Sequence, residues 1–108
     1  MEESVITATA TTFDTLIQQA TRAVIVDFWA PWCPPCRRVS PLLDALAEER
    51  PGTLTVAKVN VDDEPALARR WRIRSIPTLI RFDDGQETHR VSGAYSKVQL
   101  MAHLGIGA

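Results

Sequence analysis

The chain has 108 residues, 45% of them hydrophobic, and a formal net charge of −1. This balance of apolar and charged residues excludes an intrinsically disordered chain and a general nucleic-acid or membrane surface. We therefore expect a single domain over residues 1–108, with neither nucleic acid nor membrane as a partner. The first residues lack a basic and apolar leader pattern, which predicts a cytoplasmic protein whose thiols are kept reduced.

The first half of the chain predicts two units in which a helix follows a strand. A short β-prone piece at residues 4–9 precedes a helix that Thr12 can cap. The apolar and β-branched run at residues 23–30 predicts a central strand that is covered on both faces. A second amphipathic helix begins at the cysteines and ends at residues 50–52, Arg-Pro-Gly. Pro41 lies inside this helix, so we expect a kink there.

The second half predicts a third strand and helix, then a hairpin and a last helix. The third strand is followed by Asp62 or Asp63, either of which can cap a short helix over residues 66–72. Two β-prone segments flank residues 83–85, Asp-Asp-Gly, which predicts an antiparallel hairpin. Helical spacing over residues 96–104 predicts the last helix.

The order of these elements, β-α-β-α-β-α-β-β-α, determines the expected architecture. Alternating strands and helices require parallel pairing, whereas the hairpin must be antiparallel. We expect an α/β fold in which four helices flank a central mixed sheet of five strands. In such sheets reactive groups lie at the carboxyl ends of strands, and Cys33 and Cys36 lie at such a junction.

The two cysteines of the chain, Cys33 and Cys36, have a spacing that occurs in metal sites, haem attachment sites and redox pairs. A structural zinc ion needs four ligands, and His89 and His103 lack the usual spacing of a histidine pair. Haem attachment needs a histidine directly after the second cysteine, where the chain has Arg37. The pattern therefore favours a redox dithiol over these sites and over two inert buried thiols, with no bound metal or other cofactor.

A redox dithiol also accounts for the local sequence. Cys33 at the start of a helix meets unpaired N–H groups and the positive end of the helix dipole, which stabilise the attacking thiolate. Cys36, one turn later, can attack a mixed disulfide on Cys33 and release the reduced product. Pro34 and Pro35 fall in the first helical turn, where missing N–H groups cost little and fixed φ angles hold the sulfurs at bridging distance.

Asp27 lies within the apolar strand of residues 23–30, where ionisation of a carboxyl group is expensive. On the residues alone, two interpretations stay open. A buried Asp27 would have a raised pKa and would accept a proton from Cys36 during resolution. An Asp27 at a sheet edge would instead face solvent or cap a neighbouring turn.

The chain resembles the thioredoxin family over essentially its whole length. VDFWAPWCPPC at residues 26–36 is similar to the family's strand and active-site signature, and SIPTL at residues 75–79 is similar to the segment whose proline is cis. Further matching positions are Pro41, Lys58, Gly85 and Gly93. The family usually has Gly-Pro between its cysteines, so Pro34-Pro35 departs from the pattern.

This resemblance implies a thioredoxin fold and the reduction of protein disulfides, with Cys33 as nucleophile, Cys36 as resolving cysteine and a thioredoxin reductase as electron donor. It implies that Asp27 is the buried proton acceptor and that Lys58 is the neighbour that tunes it. The implied substrate-docking surface, on which the Ile76 backbone would pair with an extended substrate strand, lies around the cysteines. It consists of Trp32, Pro34, Pro35, Ile76, Pro77, Gly93 and Ala94. A monomer is expected, because no apolar stripe requires a dimer.

Other functions stay open at this point. WCPPCR also resembles the thioredoxin-like proteins of cytochrome c maturation, and a similar dithiol can serve an oxidase or isomerase. The fold can also act as a docking module that does not use its thiols. The arginine-rich residues 69–74 can form a positive rim for acidic partners or a solvated helix face.

Overall fold

The computed structural model describes residues 5–107 of the chain. Within these residues, five strands and four helices follow one another in the predicted order. The strands are β1 (Val5–Thr7), β2 (Ala23–Trp29), β3 (Leu54–Asn60), β4 (Thr78–Asp83) and β5 (Gln86–Ser92). The helices are α1 (Phe13–Gln19), α2 (Pro34–Glu49), α3 (Pro65–Arg70) and α4 (Lys97–His103).

The strands form one mixed sheet in the order β1-β3-β2-β4-β5. The central strand β2 runs parallel to β3 and antiparallel to β4. The edge strand β1 is parallel to β3, and β5 pairs with β4 in the antiparallel hairpin. The predicted five-stranded mixed sheet is therefore confirmed. None of the described helices is long and apolar enough to cross a membrane.

The first face of β2 packs against α1 and α3. Side chains alternate between the two faces of a strand, so every second residue of β2 lies on this side. Val24, Val26 and Phe28 are buried here in one cluster with Phe13 of α1 and Leu67 of α3. This burial explains the nearly continuous apolar pattern of the strand, because its other face is covered as well.

The second face of β2 packs against α2 and α4. Ile25 is buried in a cluster with Leu43 of α2 and Leu100 of α4. Asp27 is two residues further along the strand and therefore lies on the same face as Ile25. The carboxyl group of Asp27 thus lies on the apolar face of the sheet that α2, the helix with the cysteines, covers.

The start of α3 differs from the sequence prediction. Neither Asp62 nor Asp63 is the N-cap, which is Glu64, and no side chain caps this end. The Asn60 carbonyl accepts hydrogen bonds from the N–H groups of Asp63 and Glu64, so a tight turn occupies the residues before the helix. The Glu64 carboxylate accepts a hydrogen bond from the Ala10 N–H at 2.6 Å and thus ties the turn to the loop before α1.

The end of α3 also comes earlier than predicted. The helix ends at Arg70 instead of residue 72, because Arg72 has a φ of 55° that a right-handed helix excludes. The hairpin turn, in contrast, has the predicted residues. Asp84 and Gly85 have φ angles of 52° and 79°, which match the left-handed conformation of a two-residue hairpin.

Candidate active site

The loop after β2 carries both cysteines to the start of α2. Cys33 is the N-cap of α2 and has an extended backbone with φ −98° and ψ 106°. Its Sγ accepts a hydrogen bond from the Cys36 N–H at 3.3 Å. Pro34 and Pro35 occupy the first positions of the helix, where an N–H group would have no intrahelical partner. The two prolines therefore remove no helical hydrogen bond.

Cys33 and Cys36 form a disulfide, and their Cα atoms are 5.3 Å apart. The two residues are 3% and 1% exposed. They pack with buried Ala30 and with the partly buried side chains of Trp29 and Ile76. The sulfur atoms therefore lie at the rim of the core, where the free end of α2 and the neighbouring loop determine how another molecule approaches.

The loop before β4 lies against the disulfide. The Ile76-Pro77 peptide bond is cis, as the family resemblance implied. The Ile76 carbonyl oxygen is 3.8 Å from Cys33 Sγ. The Pro77 carbonyl accepts a hydrogen bond from the Gly93 N–H at 2.9 Å, which brings the end of β5 to the same edge. Gly93 has a φ of 114°, and an added Cβ would be 3.3 Å from the Tyr95 ring.

A shallow groove with a volume of about 370 Å³ lies beside the disulfide. Trp32 forms one wall and is 64% exposed, and its Nε1–H donates a hydrogen bond to Asp62 Oδ2 at 2.9 Å. The remaining lining residues come from the end of β3, from α3 and from the loop before β4. They are Val61, Ala68, Ile73, Arg74, Ser75 and Ile76. The groove is therefore apolar along most of its length and has a cation at one side.

Of the residues that line this groove, only Trp32 and Ile76 were predicted as docking residues. Ile73 and Arg74 were considered only within the arginine-rich residues 69–74, and Val61, Ala68 and Ser75 were not predicted. A signal existed for Ile73, which is an isoleucine between two arginines, Arg72 and Arg74. In the structure α3 ends at Arg70, so Ile73 lies in the loop before β4, where it is partly buried and lines the groove together with Trp32.

Asp27 is 1% exposed, and neither of its carboxylate oxygens has a hydrogen-bond partner among residues 5–107. The solvent-facing interpretation is therefore wrong. Burial raises the pKa of Asp27 to about 7; the positive charge of Lys58 opposes this shift, and the negative charge of Asp44 adds to it. At neutral pH this carboxyl group can both bind and release a proton.

Lys58 lies directly opposite Asp27 in the register of β2 and β3, as a neighbour should. Its ammonium group, however, donates a hydrogen bond to Ser40 Oγ and lies 2.8 Å from Asp44 Oδ1. The contact with Asp44 is an ion pair, whereas the directed hydrogen bond goes to Ser40. Ser40 and Asp44 were missed by the sequence analysis, although their spacing of four residues places both on one side of α2.

The described residues contain no group of three or more histidine, cysteine and acidic side chains that is placed to hold a metal ion. His89 is in β5 and His103 is in the last turn of α4, where its ring is 5.2 Å from the Tyr95 ring.

The chain is similar to known proteins over most of its length. The thioredoxin family model matches residues 4–105. Thioredoxin from Mycobacterium tuberculosis is 45% identical over 103 residues, which cover 95% of this chain and 89% of the relative. Thioredoxin from Porphyra purpurea is 52% identical over 81 residues, which cover 75% and 76% of the two chains.

Thioredoxin 1 from Synechococcus elongatus is 46% identical over 92 residues, which cover 85% of this chain and 86% of the relative. The chain belongs to the thioredoxin family and is a thiol-disulfide oxidoreductase that acts through the Cys33–Cys36 dithiol.

Proposed function

We propose that the protein works as a reductant of protein disulfides, with Cys33 as the attacking cysteine and Cys36 as the resolving one. The observation that carries this assignment is the position of Cys33 at the N-cap of α2, where its sulfur accepts the Cys36 N–H. Helix N-termini stabilise negative charge, so this end of α2 favours the Cys33 thiolate. Cys36 is inside the helix and more buried, which suits a thiol that reacts second.

The reaction transfers two electrons from the dithiol to the substrate. The Cys33 thiolate attacks one sulfur of the substrate disulfide, a mixed disulfide forms, and the other substrate sulfur leaves as a thiolate. Cys36 then gives its proton to a base and attacks the Cys33 sulfur. The Cys33–Cys36 disulfide forms, and the second substrate sulfur leaves as a thiolate. Protons from the base or the solvent convert both substrate thiolates to thiols.

We assign the role of the base to Asp27. Its carboxyl group is buried on the α2 face of the sheet, and no side chain or N–H group in the described part of the chain donates a hydrogen bond that would stabilise its charge. Its pKa, raised by burial to about 7, lies near the pH at which a general base is most effective. Lys58, opposite Asp27 in the sheet, supplies the positive charge that limits this rise.

The proposed docking surface surrounds the disulfide. It consists of the predicted residues Trp32, Pro34, Pro35, Ile76, Pro77, Gly93 and Ala94. The exposed Trp32 and the groove beside it support this assignment, since an apolar groove can take side chains of an extended segment. The position of Ile76 next to Cys33 supports pairing of its backbone with the residues that flank a substrate disulfide.

The proposal also covers the oligomeric state of the protein, its electron donor and its compartment. The protein acts as a single domain and as a monomer, and a thioredoxin reductase returns electrons to the oxidised form. A reductant of protein disulfides needs a compartment in which thiols are kept reduced, which favours the cytoplasm. The substrates are proteins that contain accessible disulfides.

Replacement of Cys36 with serine tests the proposed roles. Without the resolving thiol, a substrate should stay bound to Cys33 as a mixed disulfide, and multiple turnover should be lost. The matched variant Cys33→Ser should form no such adduct. The adducts can be measured by mass spectrometry under non-reducing conditions, with a disulfide-bonded protein as substrate. A docking module independent of the thiols would keep its partner affinity in both variants and form no adduct, which would contradict the proposal.

A further inference from the structure

Two polar side chains of α2 hold the Lys58 ammonium group. Asp27 and Lys58 are paired in the parallel register of β2 and β3, so both side chains start on the face that α2 covers. The ammonium group nevertheless donates to Ser40 Oγ and forms its ion pair with Asp44, at 2.8 Å. Neither Asp27 oxygen accepts a hydrogen bond, from Lys58 or from any other described residue.

The ion pair between Lys58 and Asp44 is partly shielded from water. The side chain of Lys58 is 18% exposed, and that of Asp44 is 47% exposed with its Oδ1 atom buried. Charges that are partly shielded from water attract each other more strongly than fully solvated ones. Asp44 thus offsets the positive charge nearest to Asp27 and adds a negative charge of its own.

The charged groups around Asp27 come from two elements. Lys58 approaches from β3 and Asp44 from α2. On β4 the partner of Asp27 is Leu79, which carries no charge. In the reduced protein, the Cys36 thiol at the start of α2 adds a further titratable group. Burial has the largest effect on the pKa of Asp27, and the charges of Lys58 and Asp44 act on it in opposite directions.

We propose that Asp44 is a positioning residue of the redox reaction, which holds the Lys58 ammonium on α2 and so keeps Asp27 able to take up a proton at neutral pH. This inference rests on the proposed role of Asp27 as the base. Without Asp44, the Lys58 side chain is free to turn toward the carboxylate of Asp27 and stabilise its charge. Asp27 would then be ionised over a wider pH range and would be a weaker base.

The test is a titration of the Asp27 carboxyl carbon by NMR in the oxidised protein, where the cysteines do not titrate. In Asp44→Asn we expect the pKa of Asp27 to fall by about half a pH unit or more. The control Glu48→Gln removes the same charge from an exposed position one turn further along α2, and it should leave this pKa unchanged. An unchanged or raised pKa in Asp44→Asn, or an equal fall in Glu48→Gln, would overturn the proposal.

A second experiment, in a protein that already carries Lys58→Met, shows whether Asp44 acts by holding Lys58 or only through its own negative charge. In Lys58→Met there is no ammonium group to hold, so adding Asp44→Asn should shift the pKa of Asp27 by clearly less than it does in the unaltered protein. Equal shifts in the two backgrounds would mean that Asp44 acts only through its own charge. Asp44→Glu, which keeps a carboxylate, should restore most of the original value. If Asp44→Asn fails to fold, Ser40→Ala removes the other contact that keeps the Lys58 ammonium on α2. This variant should also lower the pKa of Asp27.

The pH dependence of activity separates two questions: whether Asp44 controls the protonation of Asp27, and whether Asp27 is the base. Resolution of a mixed disulfide should slow as the pH falls through the pKa of Asp27, and Asp44→Asn should move this limb of the profile to lower pH. Asp27→Asn should abolish the limb. If Asp27→Asn keeps the original profile, Asp27 is not the base, while the NMR titration still decides whether Asp44 controls its protonation.

Discussion

At the residue scale, the buried carboxyl group of Asp27 lowers the stability of the fold and is also the proposed base of the redox reaction. The residue lies in the central strand on a face that is otherwise apolar, and no described residue donates a hydrogen bond to either oxygen. A buried carboxylate without partners destabilises the folded state whenever it is ionised. A strand optimised only for stability would carry an apolar residue here, and the proposed role of Asp27 as the base gives a reason for the aspartate.

The pH dependence of stability follows from this burial. The pKa of Asp27 is raised from 3.8 to about 7, so between these values the folded state holds a proton that the unfolded state has released. Stability attributable to this residue is therefore greatest below pH 4, declines as the pH rises toward 7, and is constant above that. The full loss is about 4 kcal/mol at 1.36 kcal/mol per pKa unit.

Asp27→Ala should therefore raise the free energy of unfolding at pH 8 by up to about 4 kcal/mol, and this gain should shrink toward pH 4. Denaturant unfolding of the oxidised protein at several pH values measures it. The exposed Asp63→Ala is the control and should change stability by less than about 0.5 kcal/mol at each pH. A gain that does not depend on pH would show that Asp27 is not a buried titrating group.

At the element scale, the start of α2 brings together the features on which the redox chemistry depends. The N-cap Cys33, the two prolines and the free N–H groups occupy one turn of helix. Either proline in the helix interior would cost a hydrogen bond, but at these positions neither does. The unusual Pro-Pro sequence is therefore compatible with a regular helix start.

The reduction potential of the Cys33–Cys36 pair tests the proposed direction of the reaction. We expect a value of about −270 mV, typical of thioredoxins, because this protein is proposed to reduce other proteins. Equilibration with glutathione measures it, with the fluorescence of Trp29 and Trp32 near the disulfide as readout. A potential between roughly −180 and −120 mV, where isomerases and disulfide-forming enzymes lie, would instead indicate oxidation or isomerisation.

At the scale of the whole molecule, the aromatic part of the core and the buried carboxyl group lie on opposite faces of the sheet. One face carries the aromatic cluster of Phe13, Trp71 and Phe82, whose ring centroids are 5.0 to 5.7 Å apart. The other face is covered by α2, with Asp27 beneath it. Edge-to-face aromatic contacts stabilise the core beyond the area they bury. Changes on the aromatic face should therefore affect unfolding more than the redox reaction.

Phe13→Ala should lower the free energy of unfolding by about 3 to 5 kcal/mol, because it opens a cavity in this cluster. The reduction potential, measured below the unfolding transition, should be unchanged, since Phe13 and the cysteines belong to different clusters. Val98→Ala, at a position that is 76% exposed, should have little effect on either quantity. A shift of the potential in Phe13→Ala would show that the two faces are coupled.

The sequence alone was sufficient for the order of the elements, the mixed sheet and the hairpin turn. These features depend on local patterns, such as the apolar run of β2 or the Asp-Gly pair of the turn. Each pattern spans only a few neighbouring residues and can therefore be recognised in the sequence. The cysteine pair and its redox chemistry followed from the same kind of evidence. The family resemblance then implied the cis bond before Pro77, which the structure contains.

Only the tertiary structure decided the start and end of α3, the groove beside Trp32 and the partners of Lys58. Each depends on residues far apart in the chain: Glu64 is held by Ala10, and the Lys58 ammonium by Ser40 and Asp44. The physical reason is that a long charged side chain has several partners within reach, and packing selects among them. The strand register places Lys58 beside Asp27, but α2 determines where its charge lies.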